Sequence, residues 1–254
     1  MEVHHHSHTS RKKWTHYFWE FLMLFLAVFC GFLAENIREH KVEDLRAKEF
    51  ARALVQDLSN DTAALRIHKN NVKHYISICD TLLELDKTRL EGPNATKFSF
   101  YTRFTYWTTR VPWNRTTFEQ IKNSGSLRYF KHGLLEKLMK YDAQINDIER
   151  EYFNHETRGN TLINSINRVM DPQMHRDASK LFLYYLDTVS KSTINNYLSR
   201  STPSLENKRY EITELLNMLV IQQRNLRFGE SRLLKAEQLA RELIIEFSEE
   251  YHLN

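Results

Sequence analysis

Residues 21–34 read FLMLFLAVFCGFLA, fourteen consecutive residues with no charge among them. Fourteen residues are short for a bilayer span and alone could be the core of a cleaved leader. Three features favour an uncleaved anchor. Trp14, Tyr17 and Trp19 supply interfacial aromatics at its N-terminal edge. Phe32-Leu33-Ala34 puts phenylalanine where a cleavage site wants a small side chain, and Phe29 precedes Cys30 where lipoprotein processing would want one. Counted from Trp14, the stretch is long enough, at about 1.5 Å per residue, to span the hydrocarbon of a bilayer. The reading is a tail over 1–13, a transmembrane helix over 14–35 in contact with membrane lipid, and an extramembrane domain over 36–254. Arg11, Lys12 and Lys13 before the helix favour an N-terminus in the cytoplasm and a C-terminal domain outside the inner membrane. Arg38, Lys41, Arg46 and Lys48 after it point the other way, but long domains translocate largely regardless of charge. Glu20, the acid nearest the block, reads as an interfacial side chain that snorkels to the headgroups rather than as a proton carrier.

The rest of the chain reads as helix. Only ten residues in 254 are Gly or Pro, which argues against β-sandwiches and glycine-dependent nucleotide folds. From Phe32 to Glu91 there is no glycine or proline break at all. Ala47, Phe50, Leu54, Leu58, Asp61, Leu65, His68, Val72, Tyr75, Cys79 and Leu82 recur there at steps of three and four, the seam of a long stalk helix. Asp61 and His68 interrupt that seam one heptad apart and read as a solvated edge or as register-fixing positions rather than as a buried functional pair. Gly92-Pro93-Asn94 reads as the end of the helix. A second seam, Ile212, Leu215, Leu219, Gln222, Leu226, Gly229, Leu233, Ala236, Ala240, Leu243 and Phe247, has the same period, so the first and last helices are expected side by side and antiparallel. Period alone does not decide between pairing within the chain and pairing between copies, so a homo-oligomer is left open. Between the seams, Thr116 with Glu119 forms a capping-box pattern that starts a short helix, Gly125 stops it, and Ser126 caps the next turn. Further helices are expected over 134–170, with Gly159 as a candidate break, and over 174–200 with Leu181, Tyr185, Leu186 and Val189. The fold class is therefore all-α, an antiparallel bundle on an anchored stalk.

One segment breaks the pattern. Residues 97–113, KFSFYTRFTYWTTRVPW, alternate aromatic and polar side chains and read as a short strand or an ordered aromatic loop. Its aromatics must pack on something, either over an end of the bundle or on a partner. The binding candidates are Tyr106, Trp107, Arg110 and Trp113, the residue types that dominate interaction hot spots, with the turn Asn123-Ser124-Gly125 shaping the surface beside them.

The anchor's exit, GFLAENIRE at 31–39 running into ALVQDLSNDTAAL at 53–65, and TTFEQIKNSGSLRYF at 116–130, resemble an uncharacterised family of single-pass membrane proteins common in Bacteroidota. Ile121 stands where that family's pattern usually has Leu, and Asn36-Ile37-Arg38-Glu39 departs from its Trp-Asn-Glu-like triplet. The resemblance implies membrane attachment and a helical outer domain. It brings no activity and no catalytic residue.

Motifs for chemistry are wanting. His175-Arg176-Asp177 has no glycine-rich loop or Asp-Phe-Gly to make it a kinase loop, and no phosphate loop, GxSxG or HExxH occurs. His4, His5, His6 and His8 form a loose cluster without a fixed second shell, so no metal site and no cofactor is assigned. Three Asn-x-Thr sequons (Asn60, Asn94, Asn114) carry little weight in the bacterial setting that the resemblance implies. Thirty-six basic and thirty-two acidic residues, intermixed, give a net charge of +4 and no basic run that would bind nucleic acid. Cys30 and Cys79 are too few for a disulfide framework. The expectation is a non-enzymatic, membrane-anchored interaction or scaffold module of the bacterial cell envelope with a protein partner. The alternative is a small-ligand sensor that signals through a partner, since the 13-residue tail is too short to be an output domain.

Overall fold

The computed structural model describes residues 14–105, 110–179 and 189–253. It is all-α: α1 (Trp14–Asp86), α2 (Gly92–Arg103), α3 (Thr116–Asn123), α4 (His132–Val169), α5 (Pro172–Ser179), α6 (Lys191–Leu198) and α7 (Arg209–Glu250), with no strand among the described residues. The chain divides into two compact units, residues 1–50 and 51–254.

In the first unit, α1 carries the apolar block. Nine large apolar side chains from Phe21 to Leu33 are 40–69% exposed, and Phe21, Phe25 and Phe29 stack one turn apart along one stripe. The helix is long and apolar enough to cross a membrane. Glu20 faces outward with His16 at 3.2 Å, one turn earlier.

In the second unit, α1 from Ala51 onward, α4 and α7 make a three-helix bundle. Lys69 pairs with Glu237, Gln223 donates to the Ile76 carbonyl and to Asp80, and Arg209 donates to Asp86. Rising numbers on α1 meet falling numbers on α7, so the first and last helices are antiparallel, as expected from the paired seams. Arg168–Glu214 and Arg232–Asp147 set α4 antiparallel to α7 in the same way. The seams are the core: Leu54, Leu58, Leu65, Val72, Cys79 and Leu82 on α1, and Ile212, Leu215, Leu219, Leu233, Ala236, Ala240, Leu243 and Phe247 on α7, are all buried.

The ends of the bundle are closed differently. At one end Ile78, Leu82, Leu90 and Phe98, Phe100 and Phe104 share a core with Met174, Tyr197 and Leu215. At the other, α3 and the 3-10 turn Ser126–Tyr129 bring in Phe118, Ile121 and Phe130, the last edge-on to Phe247 at 5.8 Å.

Several expectations are corrected here. Residues 97–103 are helix, not strand: α2 begins at Gly92 (φ +52°) with Pro93 in its first turn and buries Phe98 and Phe100 on opposite sides. A helix covered all round loses its 3.6-residue signature, and what remains resembles alternation. Gly92-Pro93-Asn94 therefore opens α2 rather than closing α1. The first helix stops earlier, at Asp86, where Arg209 takes the Asp86 and Thr88 carbonyls at 3.0 and 2.6 Å, while Leu90 accepts from Leu205 N–H. The capping box does not form: Arg115 is the N-cap residue without a side-chain cap, and Thr116 is already helical. Ser126 likewise begins the 3-10 turn instead of capping it, and Gly125, at φ +69°, occupies the cap position. Gly159 does not break α4, which runs through it. No single helix covers 174–200, because the chain bends at Val189 and Ser190 caps α6 by accepting from Thr193 N–H; Leu181, Tyr185 and Leu186 lie outside the described residues.

Candidate functional site

Asp61 and His68 are not a solvated edge. Asp61 is 1% exposed and His68 7%. One heptad repeat keeps both on the core-facing stripe of α1, so each must find hydrogen-bond partners inside the bundle.

Asp61 finds three donors. Oδ1 accepts from the Asn114 backbone N–H at 2.8 Å and from Asn114 Nδ2 at 3.0 Å, and Oδ2 accepts from Tyr141 Oη at 2.7 Å. The carboxylate thus ties the segment before α3 to α1 and α4 at once. Burial pushes the Asp61 carboxyl above its ordinary range, and the hydrogen bonds from Asn114 and Tyr141 work against that rise. Tyr141 is raised as well, by burial first and by the Asp61 charge second.

The neighbouring residues extend the clasp. Arg115 donates from Nη1 to Asn146 at 2.9 Å and pairs through Nη2 with Asp142. Trp113 donates from Nε1 to Glu149 at 2.9 Å and sets its ring edge-on to Tyr141 at 6.5 Å. Beneath them lies a cavity of about 20 Å³, lined among others by Leu54, Asp57, Leu58, Arg115, Phe118 and Tyr141. That is room for one water. Asp57 Oδ2 and Arg115 Nε, both on residues that line it, are buried without a hydrogen-bond partner among the described residues, so a single water there has a ready acceptor and donor. The arrangement can hold a connector in place, but a cavity of this size does not admit a substrate.

Farther along the same stripe, His68 Nε2 and Tyr152 Oη are 2.6 Å apart, with the rings edge-on. Burial lowers the His68 pKa to about 4, so the imidazole is neutral at physiological pH.

The residues expected to bind a partner are placed only in part. Tyr106 and Trp107 lie outside the described residues. Arg110 is exposed, with Glu149 at 3.9 Å, and shares that carboxylate with Trp113. Asn123, Ser124 and Gly125 are exposed and make the turn after α3, where Ser124 Oγ bonds Ser126 Oγ and the Ile121 carbonyl. Of the other aromatics, Phe98, Phe100 and Phe104 cover the bundle end and Tyr101 packs against them.

Sequence reasoning singled out Asp61 and His68 but missed Asn114, Tyr141 and Tyr152 as their partners. The legible signal was a pair of polar tips on each seam, Asp61 and His68 on α1 facing Tyr141 and Tyr152 on α4. Among the kinase-like triplet, Asp177 of α5 pairs with Arg200, just past the end of α6, at 2.9 Å. His4, His5, His6 and His8 lie outside the described residues. Comparison with protein-family models, with curated proteins and with solved structures finds no match to this chain.

Proposed function

We propose that this protein is a membrane-anchored helical interaction module of a bacterial cell envelope, without catalysis of its own, holding its N-terminus in the cytoplasm and its helical domain on the outer side of the inner membrane. The observation that carries the reading is α1 itself: one helix bears a block of uncovered apolar side chains before Ala34 and a buried bundle seam after Ala51. Such a helix tethers and displays a folded domain. Around Asp61 and His68 the interior supports this over a small-ligand site, because the polar side chains on the α1 seam are bonded to other side chains and the cavity beside Asp61 has room for one water. The family resemblance of residues 31–39 and 116–130 supports the bacterial setting.

Two measurements test it. Carbonate washing should leave the full chain in the membrane fraction, and release to the supernatant refutes the anchor. The full chain and a chain ending at residue 50, purified from detergent-solubilised membranes, should differ by a stoichiometric protein partner; identical co-purification profiles refute the interaction role. Orientation needs an introduced cysteine, since burial hides Cys79 and pushes its thiol up to about 12. Ser231→Cys, at an exposed position of α7, should react with an impermeant label in intact spheroplasts after Cys30 and Cys79 have been changed to Ala.

A further inference from the structure

The outward face of α7 between Val220 and Lys235 is unlike the rest of the bundle. Val220, Ile221, Phe228 and Leu234 stand 47%, 50%, 67% and 49% exposed. Interleaved with them are Arg224, Arg227 and Lys235, all exposed and, among the described residues, engaged in no ion pair. The other charges of this stretch point elsewhere. Arg232 is taken by Asp147 and Glu151 of α4. Glu230 shares the heptad position of Gln223 and Glu237, both of which bond α1 side chains. The outward face therefore presents four apolar side chains and three cations, with no acid between them.

A groove adjoins this face. Arg158, Thr161 and Leu162 of α4 and Met218, Ile221, Gln222 and Asn225 of α7 enclose about 240 Å³. Gln222 and Asn225 make no hydrogen bond among the described residues and remain able to serve a ligand. Ile221 belongs to both the groove and the stripe, and Phe228 follows it by seven residues, two helical turns.

We propose that this face docks an acidic amphipathic α-helix of a partner protein, its apolar stripe laid along Ile221 and Phe228 with one side chain in the groove, and its carboxylates set against Arg224, Arg227 and Lys235. The seven-residue step from Ile221 to Phe228 matches the spacing at which a second helix packs alongside. A concave groove takes a protruding side chain, which a flat lipid surface does not offer. A second copy using the same face would place Arg224 and Arg227 against their own equivalents, so symmetric self-pairing is disfavoured by charge. The face spans sixteen residues, about 24 Å of helix, which sets the partner segment at four to five turns. The proposal rests on the interaction role above and names the chemistry of its partner.

The test uses the full chain in neutral phosphatidylcholine nanodiscs. The probe is a fluorescent 18-residue peptide with Leu at heptad core positions and Glu beside them; its control carries Lys for Glu. The acidic peptide should bind, and the lysine peptide should bind at least tenfold more weakly. Arg224→Glu with Arg227→Glu should weaken the acidic peptide at least tenfold, and Phe228→Ala several-fold, with unchanged circular dichroism because all three positions are exposed. Raising salt to 0.5 M should weaken it further. Absence of binding, or equal binding by the variants, overturns the proposal. So does flotation of the loaded discs with phosphatidylglycerol vesicles through these arginines, or crosslinking of residue 228 to its own equivalent, since either result assigns the face to another occupant. If the charge variants still retain the co-purifying partner in membranes, the interaction role stands and only the α7 face is refuted.

Discussion

Acidifying the medium from neutral pH to about pH 5 should destabilise the bundle through His68 in a way that a non-titrating replacement abolishes. His68 is 7% exposed and its pKa falls from 6.5 to about 4 because burial disfavours the imidazolium. The unfolded chain takes up a proton near pH 6.5 and the folded chain does not. A depressed histidine pKa therefore contributes stability that is intact above the unfolded value and is lost as pH drops toward the folded one. Integrating the linkage between those two values gives about 2 kcal/mol lost by pH 5 and about 3 kcal/mol below pH 4. In a domain of this size, 2 kcal/mol corresponds to a Tm change of about 4–8 °C. The comparison must be differential, because the carboxylates of the bundle titrate in the same range. His68→Gln keeps a group able to bond Tyr152 Oη and removes the titration. Thermal unfolding of both proteins, followed by circular dichroism at neutral pH and near pH 5, should show the wild type losing about 4–8 °C more than the variant. Equal losses, or an NMR titration that places the His68 pKa near 6.5, would refute the argument that the bundle excludes the charged ring.

Three further outcomes follow from the packing. Asp61→Asn keeps an acceptor for Asn114 and an N–H for Tyr141 while removing a buried charge, so its Tm at neutral pH should match or exceed that of the wild type, with the advantage shrinking as pH falls and Asp61 itself becomes neutral; Asp61→Leu strands those donors and should cost about 2–4 kcal/mol in denaturant unfolding. Phe100→Ala empties a fully buried site that meets Phe104 at 5.1 Å and Tyr197 at 4.9 Å, and should lower stability by about 3–5 kcal/mol by the same measurement. Gly125→Ala meets no steric obstacle, so only the φ of +69° opposes it, and its cost should stay near 1 kcal/mol; a much larger loss would show that the turn has close neighbours.

Some of this architecture is written in local sequence. The apolar block at 21–34 declares itself because a run without polar side chains has few physical solutions. The seams of α1 and α7 are legible because each buries one stripe, and a single buried stripe repeats at 3.6 residues. Gly125 is legible because a left-handed turn favours the residue without a Cβ. Where burial is one-sided, sequence and structure agree. Asp61 shows the limit of that reasoning: its position on the core stripe could be counted from the sequence, but its environment could not. Its donors come from Asn114 and Tyr141, 53 and 80 residues away, and no local pattern encodes their convergence.

Tertiary contacts decided the remainder. α2 reads as a strand because its neighbours cover both sides of it, so phenylalanines two residues apart are buried in a helix. α1 ends at Asp86 rather than at the first glycine because Arg209, from the far end of the chain, takes the Asp86 and Thr88 carbonyls. Thr116 does not cap α3, because the Glu119 N–H goes to the Arg115 carbonyl and the helix starts one residue early, where Asp61 holds the Asn114 N–H and Asp142 and Asn146 hold the Arg115 guanidinium. Periodicity records which face of an element is buried, so the sequence alone determines the long helices and the membrane-compatible block. The partners of buried polar groups and the points where helices stop depend on atoms brought together across the chain, and those only the folded bundle supplies.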